Sequence, residues 1–174
     1  TTQEWKSVLR QAKDLGTLQL GWSGGEGFAR RDFCELIAYA GQLGFLSVVK
    51  THGGNVTPER AQTLASSGVY RADVSVYSLD AALHDGITRI PGSLEGTFRG
   101  MRIMRDAGLG VRASIVVMPS NLHEMEALDG HIRAMGCYPN FSLVILPDQT
   151  GDESIDRLAL DPAQLVEARM ILMK

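Results

Sequence analysis

The sequence predicts an α/β fold built on a parallel sheet, and three observations carry that expectation. Short apolar runs alternate with amphipathic segments along almost the whole chain of 174 residues. The returns from amphipathic segment to apolar run are brief and marked by glycine, at Gly16, Gly44, Gly68 and Gly108. The elaborate polar connections instead follow the apolar runs, over residues 23–31, 51–58, 78–93 and 118–122. Alternation of this kind builds right-handed βαβ units. Polar groups gathered after strand ends put the chemistry at the C-terminal rim of the sheet.

Taken in order, Thr1 with Glu4 has the form of a capping box for a first helix carrying Trp5, Val8, Leu9 and Ala12 at helical spacing. Leu18 to Trp22 reads as a buried strand that delivers the glycine elbow Ser23-Gly24-Gly25-Glu26. Asp32 and Glu35 form a second capping pattern before a helix with Phe33, Leu36, Ile37, Ala40 and Leu43 on one face. Phe45 to Thr51 is a strand with the exit His52-Gly53-Gly54-Asn55, and Thr57-Pro58 opens a helix that runs to Gly68. Val74 to Asp80 is the next expected strand, followed by a long polar connection through His84, Asp85, Arg89 and Pro91-Gly92. Ser93 caps a helix ending at Gly108, and Val111 to Met118 reads as a strand covered on both faces. Asn121 with Glu124 repeats the capping box for a helix to about Met135; a strand over Phe141 to Leu146, a long loop and a helix opened by Asp161-Pro162 complete the chain.

Two architectures satisfy this order, an open doubly wound sheet and part of a (β/α) barrel. A complete eight-stranded barrel takes about 250 residues, so five strands here would be an incomplete one. One domain spanning 1–174 is expected, truncated at both ends, since the chain starts without methionine and stops inside a helical pattern. A net charge of -3 and a pI near 5.8 provide no basic field for nucleic acid. No apolar run approaches membrane-spanning length and no signal-peptide layout opens the chain, so no membrane partner is expected and the cytoplasm is the expected location. Cys34 and Cys137 read as reduced small residues, and Met101, Met104, Met118 and Met125 as core filler.

The expected rim carries Glu26, Thr51, His52, Ser78, Asp80, His84, Asp85, Arg89, Arg112 and Asn121, with glycine backbone at 24, 25, 53 and 54. This set suits a polar, zwitterionic, ribose-bearing ligand. Neither a Gly-x-Gly-x-x-Gly nor a Walker sequence is present, and no histidine cluster has zinc-site spacing, so no metal ligands are assigned. His84-Asp85 reads either as an acid/base pair or, more simply, as a loop cap.

The ordered series Gly24-Gly25-Glu26, Thr51-His52-Gly53, Ser78-Leu79-Asp80 and Val116-Val117-Met118-Pro119-Ser120-Asn121 resembles the successive motifs of the radical S-adenosylmethionine (radical SAM) enzymes. The connection from His84 to Ser93 is similar to that of the peptide-modifying SPASM-type branch, which includes the pyrroloquinoline-quinone-biosynthesis and sulfatase-maturase-like enzymes. The match runs from Thr1 to about Gly151. The resemblance implies a partial (β/α)6 barrel and an enzyme that cleaves S-adenosylmethionine reductively to a 5′-deoxyadenosyl radical for hydrogen abstraction, in peptide modification or cofactor maturation. It implies that Gly24, Gly25 and Glu26 receive the cofactor's amino group, that Thr51 and Ser78 face its methionyl and ribose parts, and that Arg112 reaches its carboxylate. Asp80, Arg89 and Asn121 are further candidates. A peptide substrate and a reductant protein are the implied partners.

Two departures from the family pattern stand in these motifs: Gly27 replaces the usual proline and His52 the usual asparagine. The Cys-x-x-x-Cys-x-x-Cys loop that holds the family's [4Fe-4S] cluster is absent from this sequence and is expected shortly before Thr1. The isolated chain is accordingly expected to be an inactive core. The alternative is a cluster-free ligand-binding or scaffold module of the same fold.

Overall fold

The computed structural model describes residues 1–146 and 156–174. Seven α-helices and five strands are found among them: α1 Thr2–Asp14, β1 Gln19–Trp22, α2 Phe33–Gln42, β2 Leu46–Thr51, α3 Pro58–Ser66, β3 Val69–Ser75, α4 Ala81–Thr88, α5 Ser93–Asp106, β4 Gly110–Val116, α6 Met125–Ala134, β5 Tyr138–Ser142 and α7 Pro162–Leu172. Single 3₁₀ turns lie at Gly27–Ala29, Leu122–Glu124 and Asp156–Leu158. The strands form one sheet in chain order, β1-β2-β3-β4-β5, and it is parallel. Gln19 stands opposite Leu46 and Trp22 opposite Val49, while β2 and β3 shift register between Ser47 and Val48. A doubly wound sheet reverses its strand order partway, so the unbroken progression selects the partial barrel over the open alternative.

The chain divides into two compact units, one of Thr1–Ser75 with Glu95–Arg112 and one of Val76–Leu94 with Ala113–Lys174. In the first, Leu9 of α1, Ala40 of α2 and Phe45 pack together with Leu20 and Trp22 of β1 against them. The capping box of Thr1 and Glu4 forms as expected, and Thr57 caps α3 with Pro58 in its first turn. Asp32 caps nothing: its carboxylate accepts from the Thr2 hydroxyl at 2.6 Å and from Arg30, which hold it down to about 2. In the second unit Val117, Leu122, Met125, Leu160 and Ala168 form the core, with Phe141, Leu143, Leu165 and Ile171 against it. Asp161 and Gln164 complete the capping box that opens α7.

Five expected elements are corrected, the first being β1: read as a buried strand, it alternates exposed with half-buried positions. β3 begins at Val69 and ends at Ser75, so Val76–Asp80 is its exit and not its body. The polar connection after it holds a helix, α4, capped by Asp80 and stopped at Arg89, which adopts the left-handed conformation at φ 59°. The last strand is Tyr138–Ser142, earlier than expected. β4 alternates buried with half-buried positions, so its second face is only partly covered. The long loop expected before α7 falls mostly outside the described residues. Met101, Met104, Met118 and Met125 are buried as expected, whereas Met170 and Met173 are exposed. Among the described residues no helix is long and apolar enough to cross a membrane.

Candidate functional site

In the first unit, β1 delivers Ser23, Gly24 and Gly25 as exposed backbone. Gly24 has φ 141°, a conformation L side chains rarely adopt, and a Cβ on Gly24 or Gly25 would meet no atom within 4 Å. The elbow therefore leaves its backbone open to a ligand. A recess of about 200 Å³ adjoins it, walled by Trp5, Trp22, Phe33 and Leu36 as well as by the elbow itself. That is smaller than the roughly 300 Å³ at which pockets for whole small molecules begin.

Glu26 follows the elbow with its side chain 11% exposed. Its Oε1 accepts from the Phe28 amide at 3.1 Å, its Oε2 accepts from the His52 amide at 2.9 Å, and the Thr51 hydroxyl stands 2.9 Å from both oxygens. The Gly53 amide donates to Thr51 Oγ1 at 3.0 Å, so the hydroxyl is used in both directions. The Gly54 amide donates to His52 Nδ1 at 3.0 Å. That makes Nδ1 the acceptor and puts the imidazole proton on Nε2, 3.2 Å from Glu26 Oε2. Between them these donors occupy about all the lone-pair positions a carboxylate has. Behind the turn, α5 closes in: the Thr97 hydroxyl donates to the His52 carbonyl at 2.8 Å, and a Cβ on Gly100 would lie 2.1 Å from the Gly53 carbonyl oxygen.

Arg112 is where the structure departs most from the sequence expectation. It sits early in β4, four residues before Val116, about 13 Å short of the strand's C-terminal end at roughly 3.3 Å per residue. Its guanidinium binds Asp73 through Nε at 2.9 Å and Nη2 at 2.5 Å. Asp73, 4% exposed, also accepts from Arg71 Nε at 2.7 Å. The pairing neutralises a carboxylate buried inside the sheet and does not bring Arg112 to the rim.

In the second unit the β3 exit repeats the arrangement around Thr51. Ser78, fully buried, has its hydroxyl 2.8 Å from both oxygens of Glu124. The Leu79 amide donates to Glu124 Oε2 at 2.7 Å, and the Asp80 amide to Ser78 Oγ at 2.8 Å. Asp80 is spent on capping α4 through the Ala82 amide at 2.7 Å. Asn121 caps no helix: Oδ1 accepts from the Met118 amide, and Nδ2 donates to the Tyr77 and Val116 carbonyls. It ties two strand exits together. Arg89 is exposed. Asp85 collects the Ser93 hydroxyl and the amides of Gly92 and Leu94, the loop-capping role of the two weighed for it. Glu124 is the site residue that sequence reasoning missed, because its spacing from Asn121 imitates a capping box. The available signal was the hydroxyl residue at each strand exit, which needs a carboxylate from elsewhere.

The elbow sets open backbone beside the fixed charge of Glu26, chemistry that suits an ammonium group. An iron–sulfur cluster does not fit these residues. The sequence has two cysteines, Cys34 on α2 and Cys137 between α6 and β5, and among the described residues no group of three or more His, Cys, Asp or Glu side chains could hold a metal ion. Burial pushes the Cys34 thiol up, away from the thiolate a ligand must be.

Comparison with known proteins gives the same grouping. The Radical SAM superfamily model matches residues 1–131. AdoMet-dependent heme synthase of Nitratidesulfovibrio vulgaris is 36% identical over 126 residues, 72% of this chain and 34% of that protein. PqqA peptide cyclase of Bradyrhizobium diazoefficiens is 30% identical over 125 residues, 72% of this chain and 33% of that protein. The crystal structure of Streptococcus suis SuiB bound to S-adenosylmethionine superposes with a TM-score of 0.76 at 19% identity, covering 99% of this chain and 38% of that one. The chain thus spans about a third of the length of these relatives, and the SuiB likeness speaks for the fold.

Proposed function

The chain belongs to the radical S-adenosylmethionine superfamily, whose enzymes use S-adenosylmethionine and a [4Fe-4S] cluster, and we propose that it is a cofactor-binding core of one of them. In this reading Gly24, Gly25 and Glu26 receive the amino-acid end of S-adenosylmethionine. The observation that carries it is the open backbone of Gly24 and Gly25 beside a nearly buried carboxylate. Because Glu26 is already occupied by Phe28, Thr51 and His52, it supplies negative charge while the elbow carbonyls supply the direct bonds. Thr51 acts through Glu26, and Arg112 holds the sheet through Asp73. Ser78, Asp80 and Asn121 lie at the β3 and β4 exits of the second unit, where Arg89, which ends α4, is an exposed cation.

Given one electron, bound S-adenosylmethionine supplies hydrogen abstraction. A reductant protein is the electron source, and the substrate belongs to peptide modification or cofactor maturation, the chemistries in the names of the relatives above. Titration calorimetry of the chain with S-adenosylmethionine tests the site. Binding should be displaced by L-methionine but not by its des-amino analogue, and Gly24→Val and Glu26→Gln should each weaken it about tenfold. Displacement by adenosine and not by methionine, or affinity within twofold in both variants, would sink the reading.

A further inference from the structure

One face of the first unit's sheet departs from what barrel strands ordinarily carry there. Leu20 and Trp22 of β1 pack with Leu9 of α1 and Ala40 of α2, so the register sets Gly21, Val48, Lys50, Arg71 and Asp73 on the face turned away from those helices. In a closed (β/α) barrel that face is filled by layers of Val, Ile and Leu. Here Gly21 and Lys50 are exposed, and a Cβ on Gly21 would meet no atom within 4 Å. The side chains of Arg71 and Arg112 are 26% and 31% exposed, so that with Lys50 three cations meet the carboxylate of Asp73.

Asp73 is already shared, by Arg112 through Nε and Nη2 and by Arg71 through Nε alone. Among the described residues the terminal nitrogens of Arg71 make no hydrogen bond, and Lys50 has no ion-pair partner. Lys50 stands opposite Asp73 and Arg71 opposite Val48, which puts their Cα atoms roughly 7 Å apart along the strands and 5 Å across them, within the joint reach of two long side chains. Two uncompensated cations on an open face are complementary to an anion. A guanidinium fork fits carboxylate and phosphate alike, but phosphate sites draw on free backbone amides at helix N-termini or nests. The strand amides here belong to the parallel ladder, which leaves side chains as the donors and favours a carboxylate.

We propose that Lys50 and Arg71 bind a carboxylate-bearing substrate on this face, with Asp73 and Arg112 positioning the Arg71 fork. Two spare positive charges suit two carboxylates. That the ligand is the substrate rests on the cofactor reading above; the anion site itself does not.

Glutarate is the probe, titrated into the isotope-labelled full chain and followed by amide resonances, beside its neutral diamide and inorganic phosphate. The amides of Gly21, Lys50 and Arg71 should shift with glutarate and not with the diamide. Lys50→Gln and Arg71→Gln should each weaken glutarate about tenfold, with S-adenosylmethionine affinity as in the wild type. Arg102→Gln, at an exposed position of α5, should change nothing. Glutarate affinity within twofold in both variants overturns the inference, as does phosphate bound as tightly as glutarate. Weakened S-adenosylmethionine binding in Lys50→Gln also overturns it, since the anion held there would be the cofactor's own carboxylate. Thermal melting checks folding, and should Arg71→Gln not fold, Lys50→Gln decides alone, because its ammonium has no ion pair to lose. A chain that binds glutarate but not S-adenosylmethionine keeps the anion site and fails the cofactor reading; the reverse fails this inference alone.

Discussion

His84 illustrates how far a single residue's surroundings set its chemistry. It is 1% exposed, and its Nε2 is a buried polar atom with no hydrogen-bond partner. The Ser93 hydroxyl donates to Asp85 Oδ1 at 2.8 Å, so its oxygen accepts from Nδ1–H of His84 at 3.0 Å, which leaves Nε2 a bare lone pair. Burial pushes the imidazole below its ordinary value of 6.5, against the opposing pull of Asp85. A histidine whose folded value is depressed keeps its full stabilising contribution above the unfolded value. That contribution is lost as pH falls below it, because the unfolded chain takes the proton first. Urea midpoints should therefore drop from about pH 7 to about pH 5.5, and His84→Gln should flatten that part of the curve. Parallel curves for wild type and variant would show that His84 is not the titrating group.

At the scale of elements, α5 shows packing overriding propensity. Alanine in place of Gly100 raises intrinsic helix stability by about 1 kcal/mol. Its Cβ, however, would lie 2.1 Å from the Gly53 carbonyl, backbone that cannot swing aside. Overpacking of that kind costs about 1–3 kcal/mol, so Gly100→Ala should lower stability in chemical denaturation, and it should loosen the Thr51–Gly54 turn against which Gly100 lies. An unchanged or raised midpoint would mean that the helix can move away. The misplaced start of β3 has a similar origin. Arg71 and Asp73 look unlike a buried strand until Arg112 arrives from β4 to complete the ion pair. α4 was hidden because its stop signal is Arg89 in the left-handed region, where glycine is the usual mark.

At the scale of the whole molecule, the parallel sheet in chain order places this chain among partial barrels, and the stretch it shares with its named relatives covers about a third of their length. Two cysteines on different elements cannot supply the three thiolates of the family's cluster. Anaerobic reconstitution of these 174 residues with iron and sulfide should therefore give no bound cluster and no 5′-deoxyadenosine from S-adenosylmethionine under reduction. Formation of 5′-deoxyadenosine by this polypeptide alone would refute that account. Cofactor binding without turnover is the result consistent with an isolated core.

Local chemistry was legible in the sequence by itself. Alternating apolar and amphipathic segments, the caps at Thr1, Thr57 and Asp161, and the glycines after strand ends follow from short-range sterics and hydrogen bonding, and together they determined an α/β chain whose polar connections follow its strands. The glycine elbow was legible for the same reason, since only glycine tolerates the backbone of Gly24. Long-range pairing was decided by the tertiary structure. Asn121 and Glu124 have the spacing of a capping box, and Arg112 has the charge for a ligand carboxylate. What each does depends on partners 39 to 46 residues away, Tyr77, Ser78 and Asp73, whose unmet hydrogen bonds and buried charge outweigh any local use.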